Sequence, residues 1–234
     1  MKRIHIVQHV SFESPARIAA WARERGHASA TTRVYEQAVF PPVYEMDALV
    51  VMGGPMSVHD DERIPWLVAE KRLIAGAVEA GCFVLGVCLG AQLIASVAGA
   101  RVHRNRFKEV GWFDVEATRE GRSHPRFGLP PVFGAFHWHD ETFQLPAGAV
   151  QLARTEACEQ QMFAIGDRVL AMQFHLEMEP AGIDEMVVHA AGDLTEGPFV
   201  QAKDQLAAGA GDACRASHRL LDRLLDAWIA GGDT

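Results

Sequence analysis

Two stretches of this chain carry an unbroken apolar run: MDALVVMGGP (46–55), apolar from Ala48 onward, and CFVLGVCLG (82–90). A strand with one wet face alternates apolar and polar side chains, so an unbroken short run needs cover on both sides. Around these runs the chain keeps a regular rhythm. IHIVQHV (4–10) and TTRVY read as strands; ARIAAWARERG, opened by Ser14-Pro15 and stopped by Gly26, reads as a helix. PWLVAEKRLIAGAVEAG, from Pro65, and AQLIASVAG, after the second run, read as helices too. Strand and helix in alternation imply right-handed crossovers, hence an α/β fold with a mostly parallel central sheet flanked by helices.

Past residue 100 the rhythm changes. EVGWFDVEAT, AVQLARTEA, QQMFAIG and DRVLAMQFHLEM are spaced as additional antiparallel strands in the C-terminal half, with a Gly166-Asp167 turn between the last two. A final helix is expected from Asp212 to Ile229. Its stripe of Leu220, Leu221, Leu224, Leu225 and Trp228 must pack on the core or on a second subunit. AAGAGDA (207–213) reads as a loose connection before it.

Charge and cysteine usage exclude several classes. The chain has 30 acidic against 22 basic residues, a net charge of −8, and no Lys/Arg run. No nucleic-acid partner is expected of it, since nothing is present to displace counterions from a phosphate backbone. No apolar run reaches the roughly 18 residues that span a bilayer, so no membrane partner is expected either. MKRIHIVQHV reads as a first strand, not a signal peptide. Cysteines 82, 88, 158 and 214 form no CxxC pair, which suits reduced thiols and a cytoplasmic location.

One of those cysteines occupies a marked position. Gly86-Val87-Cys88-Leu89-Gly90 lies where the second apolar run gives way to a helix, in the form G-x-C-x-G. This is the thiol counterpart of the nucleophile elbow. A sharp strand-to-helix turn projects one side chain outward, and the flanking glycines let other backbone pass close by. The helix start aims free N–H groups and positive dipole at the sulfur, favouring the reactive thiolate. The Leu89 N–H is placed to hold an oxyanion. Alternatively, Cys88 is simply a small buried apolar residue, as most free cysteines are.

A nucleophilic thiol needs a base, and the base an orienting group. Gln173-Phe174-His175-Leu176-Glu177 closes an apolar strand and puts His175 and Glu177 on one side of it. An imidazole beside a carboxylate suits that role, against the alternative of a strand-end histidine near an acid by chance. Gly53-Gly54-Pro55 ends the first apolar run at the sheet edge where open α/β proteins bind ligands, so Gly53 and Gly54 are candidates for the other oxyanion amide. A plain turn is the competing explanation.

These blocks, GGP, VLGVCLGAQLIA and QFHLEME, in this order, resemble the signatures of class I glutamine amidotransferases, and most of all the glutaminase domain of GMP synthases and its stand-alone relatives. The resemblance covers residues 1–190, with 191–234 left as a C-terminal helical extension expected to pack on the same domain. It implies a Cys88–His175–Glu177 triad that attacks the γ-amide of glutamine, forms a γ-glutamyl thioester and releases ammonia, with no cofactor. It also implies oxyanion amides from Leu89 and from Gly53 or Gly54, and substrate contacts from Gln92, Trp138 and His139. One departure is His-Leu-Glu where the family commonly has His-Pro-Glu. No glycine-rich phosphate loop follows residue 190, so a recipient for ammonia is expected on a separate synthetase.

Two other activities stand beside this one. A γ-glutamyl peptidase or hydrolase acting on γ-glutamyl conjugates uses the same chemistry with a larger leaving group and needs no partner. A catalytically silent binding module would keep the scaffold alone. His137-Trp138-His139-Asp140-Glu141 has the look of a metal cluster, but no third ligand group with metal spacing accompanies it in sequence, so no metal is expected.

Overall fold

The computed structural model describes residues 1–208 and 210–230. In chain order the elements are β1 (Arg3–Gln8), α1 (Ala16–Glu24), β2 (Ala28–Arg33), β3 (Ala48–Val51), α2 (Trp66–Glu79), β4 (Phe83–Val87) and α3 (Leu89–Val97). There follow β5 (Val102–Ala117), α4 (Arg119–Ser123), β6 (Val132–Phe143), β7 (Val150–Arg154), β8 (Met162–Ile165), β9 (Val169–Met172), α5 (Pro180–His189), α6 (Lys203–Ala207) and α7 (Ala210–Ile229).

Among the described residues nine strands form one sheet in the order β2-β1-β3-β4-β9-β8-β7-β5-β6. β2, β1, β3, β4 and β9 pair in parallel, and β9, β8, β7, β5 and β6 pair antiparallel. The fold is therefore α/β with a mixed sheet. Its parallel half comes from the strand–helix rhythm and its other half from the antiparallel strands. The two unbroken apolar runs became β3 and β4, buried at every position, with helices on both sides. One apolar cluster joins these strands to α1 and α7; a second joins them to α2 and α3.

β9 is far from β4 in sequence yet lies beside it in register, Val84 to Val169 through Val87 to Met172. That pairing carries the segment after β9 to the end of β4. Gly26 stops α1 with φ +69, and Gly166 makes the β8–β9 turn with φ +55, as the sequence suggests. At the start of α1, Pro15 rather than Ser14 takes the capping position, and no side chain caps the helix. Helix α5 was not foreseen. Proline at its first position opens it, and Ile183, Met186 and Val187 give it a buried face.

The stripe on α7 packs on the core of its own chain: Leu221, Leu225 and Trp228 are fully buried. Arg17 pairs with Asp222 at 2.6 Å, Trp21 Nε1 donates to Asp226 at 2.8 Å, and Trp228 Nε1 donates to the Arg168 carbonyl at 2.8 Å. The expected loose connection is shorter than its sequence suggests, because α7 already begins at Ala210; Gly209 lies outside the described residues. Among the described residues no helix is long and apolar enough to cross a membrane. Trp228→Ala removes a large buried side chain that packs edge-on against Phe83 of β4 and donates to the Arg168 carbonyl. It should cost about 3–5 kcal/mol, lowering Tm by roughly 6–20 °C in thermal unfolding. An unchanged Tm would show α7 to be outside the cooperative unit.

Candidate active site

Cys88 stands between the end of β4 and the first residue of α3, with φ 52 and ψ −109. A non-glycine residue at positive φ stores on the order of 1–3 kcal/mol of strain, which the surroundings must hold in place. Here its own N–H donates to the Met172 carbonyl at the end of β9, 2.8 Å away. The two flanking glycines have separate jobs. A Cβ on Gly90 would collide with the Val51 carbonyl of β3, and one on Gly86 would come within 2.6 Å of the Gly90 backbone and Ile94. Both are therefore required for α3 to press down onto the sheet.

Across the turn, His175 and Glu177 follow β9. The strand itself ends at Met172, and His175 is held instead by a two-way backbone bridge to Phe136 on β6. Its Nδ1 is 2.7 Å from Glu177 Oε1, both side chains being buried, while Nε2 has no partner. The thiol and the imidazole are near enough to shift each other's titration, although no hydrogen bond joins them at rest. At rest the Cys88 S–H is directed at the Trp138 carbonyl, 3.6 Å away. Burial pushes the thiol up and His175 opposes that shift. Burial alone would push His175 down, but the Glu177 charge and the thiol outweigh it and hold the imidazole well above its ordinary value of 6.5. The result is a strong base facing a weak acid in a nearly dry site.

Gly53 and Gly54 follow β3 at the same edge. The Gly53 carbonyl accepts from His9 Nδ1 at 2.9 Å, and His9 Nε2 donates to Glu70 at 2.8 Å, with both side chains fully buried. Burial opposes a charge on His9, but Glu70 and the Gly53 carbonyl prevail and raise it. Because C=O and N–H point oppositely across a trans peptide, fixing the Gly53 carbonyl toward His9 turns the Gly54 N–H away from it. A Cβ on Gly54 would meet His9, Met56 and Leu89; one on Gly53 would overlap Glu13 Oε2. Sequence reasoning missed His9, Glu13 and Glu70. The available signal was a pair of polar residues just beyond the carboxyl end of a buried strand.

A cleft of about 460 Å³ opens over the sulfur, lined by Glu13, Gly54, Cys88, Gln92, Trp138 and His139. Its size suits an amino-acid-sized ligand. Gln92 is already engaged, donating to Gln173 at 3.1 Å and to the Glu141 carbonyl at 3.2 Å, and Gln173 donates to the sulfur at 3.6 Å. Trp138 Nε1 donates to Asp193 at 3.1 Å. The segment 138–140 lies within β6, and the His139 ring turns inward to Glu109 at 3.0 Å. The structure thus brings every sequence-predicted site residue to one sheet edge. It leaves the main chain of Trp138, not its side chain, next to the thiol.

The glutamine amidotransferase class-I family profile matches residues 16–190. This chain belongs to that family. The chain is 37% identical over 201 residues to the glutamine amidotransferase-like protein YfeJ of Salmonella typhimurium, covering 83% of each chain. It is 31% identical over 142 residues to a glutamine-hydrolyzing GMP synthase of Thermomicrobium roseum, covering 60% of this chain and 25% of that one. With γ-glutamyl peptidase 3 of Arabidopsis thaliana it shares 28% over 147 residues, 60% of this chain and 58% of that one. A solved glutamine amidotransferase from Methylobacillus flagellatus superposes with a TM-score of 0.92 at 27% identity, over 99% and 95% of the two chains.

Behind the cleft the fold corrects one expectation. His139 does acquire further potential metal donors, because Glu109 and Cys158 come within 4.8 Å of it. This cluster is distinct from Cys88, His175 and Glu177, and its atoms already bond to one another and to neighbours. Thr155 donates to Glu109 at 2.7 Å, Gln161 donates to it at 2.6 Å, and Cys158 lies 3.2 Å from the Thr142 hydroxyl. Burial pushes Cys158 up to about 11 and His137 down to about 4, so both stay neutral at pH 7.

The His9–Glu70 pair yields a pH-dependent prediction. With His9 raised, the stability it contributes is complete below its ordinary 6.5 and is lost as pH rises through the folded value. Glu70→Gln keeps the shape but not the charge, and should cost on the order of 3 kcal/mol near pH 6. Thermal unfolding across pH should show that difference from the unaltered protein shrinking toward alkaline pH. A difference that widens would contradict a charged pair.

Proposed function

We propose that the chain is a cysteine amidohydrolase of the glutamine amidotransferase type, cleaving the γ-amide of glutamine through a thioester on Cys88. One observation carries this reading: a thiol on a strained strand-to-helix turn opens into a cleft and stands beside a buried His175–Glu177 pair whose Nε2 is free. The GMP synthase named as glutamine-hydrolyzing supports glutamine as the amide.

In this mechanism His175 accepts the thiol proton, and the sulfur bonds to the γ-carbonyl carbon. The oxyanion is held by the N–H of Leu89 and that of Gly53 or Gly54, each such donor contributing about 2.7–4 kcal/mol. The C–N bond then breaks as His175 returns its proton to nitrogen, and ammonia leaves. Water, deprotonated by His175, attacks the thioester and releases glutamate and the free thiol. Glu177 orients the ring and stabilises its charged form. Gln92, Trp138 and His139 shape the binding of the amino-acid end, through main chain at 138 and 139. Ammonia passes to a separate synthetase. Residues 1–190 form the catalytic domain, with 191–234 as an extension packed on it. The place of action is the cytoplasm, where the four free cysteines stay reduced.

A second reading, hydrolysis of γ-glutamyl conjugates, is favoured by the likeness to γ-glutamyl peptidase 3. Comparing kcat/KM for glutamine with that for a γ-glutamyl dipeptide separates the two. A silent module would give neither activity and would leave Cys88 unlabelled by a glutamine-mimicking electrophile.

Cys88→Ala should cut ammonia release from glutamine by about 10³-fold or more while the protein stays folded. Cys88→Gly should be equally inactive yet as stable as the unaltered protein or more so, because glycine accepts the positive φ. Retention of most activity in Cys88→Ala would show the nucleophile to be misassigned.

A further inference from the structure

The triad does not account for Glu13. It lies in the loop after β1, at the same sheet edge as Gly53, Cys88 and His175, and it lines the cleft. The residue is 5% exposed, and its Oε2 is buried without any hydrogen-bond partner. Leaving a buried carboxylate oxygen unpaired is costly, so such a group calls for a donor that the protein alone does not supply. The nitrogens of the two neighbouring histidines are engaged elsewhere, except for His175 Nε2. Both nitrogens of His9 are spent on Gly53 and Glu70, and His175 Nδ1 is spent on Glu177.

The position of Oε2 narrows what the missing donor is. Oε2 and His175 Cε1 approach the same point beside Gly53, where a Cβ would overlap the first and lie 3.1 Å from the second. Cε1 is bonded to Nε2, the one nitrogen of His175 without a partner. During acyl transfer Nε2 hands its proton to the leaving atom of the substrate. Because Oε2 and Cε1 share a neighbourhood beside Gly53, a leaving atom that takes its proton from Nε2 is delivered to the side of the site where Oε2 stands.

We propose that Glu13 receives the leaving group: it accepts a hydrogen bond from the scissile amide N–H and holds the departing nitrogen beside His175, selecting amides over esters. No net proton moves to Glu13. The S–C bond forms, the C–N bond breaks, and the proton on nitrogen comes from His175. An ester offers no N–H at this point, although its alkoxide also takes a proton from His175. This inference rests on Cys88 being the nucleophile of a γ-glutamyl hydrolase.

Glutamine and glutamate γ-methyl ester differ almost only in that leaving group, and glutamate release can be followed for both. In Glu13→Gln, kcat/KM for glutamine should fall about tenfold or more, while kcat/KM for the ester changes less than about threefold. An equal fall for both substrates, or for neither, overturns the assignment, since a merely structural role would not distinguish them. Should Glu13→Gln not yield folded protein, Glu13→Asp, with the carboxylate withdrawn by one carbon, gives the same comparison. Failure of the underlying reading has a different signature: the unaltered protein would cleave neither substrate and Cys88 would resist the glutamine-mimicking electrophile, and the inference would fall with it.

Discussion

The close approach of α3 to the sheet governs the geometry of the cleft. Gly90 sits directly on the Val51 carbonyl, and Gly86 leaves room for Gly90. Only because that contact is so short can the chain reverse from β4 into α3 within a single residue. The residue at the apex is Cys88, forced to positive φ and tied by its N–H to the end of β9. The strain at the apex is offset by the burial of α3, whose residues 89–95 are all buried. A side chain larger than hydrogen at either glycine would lift the helix and move the sulfur away from the imidazole.

Around that apex the site is built from charge kept out of water. Two histidine–carboxylate pairs, His175–Glu177 and His9–Glu70, flank the Gly53–Gly54 peptide, each fully or almost fully buried. Buried pairs of this kind contribute little net stability, because desolvation cancels much of the attraction. They do fix orientation. One sets which nitrogen of His175 faces the thiol; the other sets which way the Gly53 carbonyl points and hence where the Gly54 amide is aimed. Glu13 adds a third carboxyl group to this small volume without a hydrogen bond of its own. The substrate's leaving nitrogen is the group that completes it.

The antiparallel half of the sheet does more than extend the fold. β6 runs past the thiol so that the Trp138 carbonyl meets the sulfur and the backbone of Phe136 grips His175. A buried network of Glu109, His139, Thr155 and Gln161 stiffens this strand from behind. α7 closes the opposite face of the sheet through Trp228 and the ion pairs to α1.

Much of this was readable from residues alone, for a local reason. Unbroken apolar runs, glycines two either side of a cysteine, and a His-x-Glu after a strand are patterns whose meaning is set by neighbours within a few positions. They carried the parallel half of the sheet, the apex at Cys88 and the His175–Glu177 pair. What only the tertiary structure decided depends on residues far apart in sequence. The pairing of β9 with β4 brings residues 88 and 175 together. The burial of Glu70 against His9, the turn of His139 away from the cleft toward Glu109, and the empty valence of Glu13 are likewise invisible locally. A polar side chain's partner is settled by which surfaces meet when the sheet closes, and no spacing along the chain encodes that.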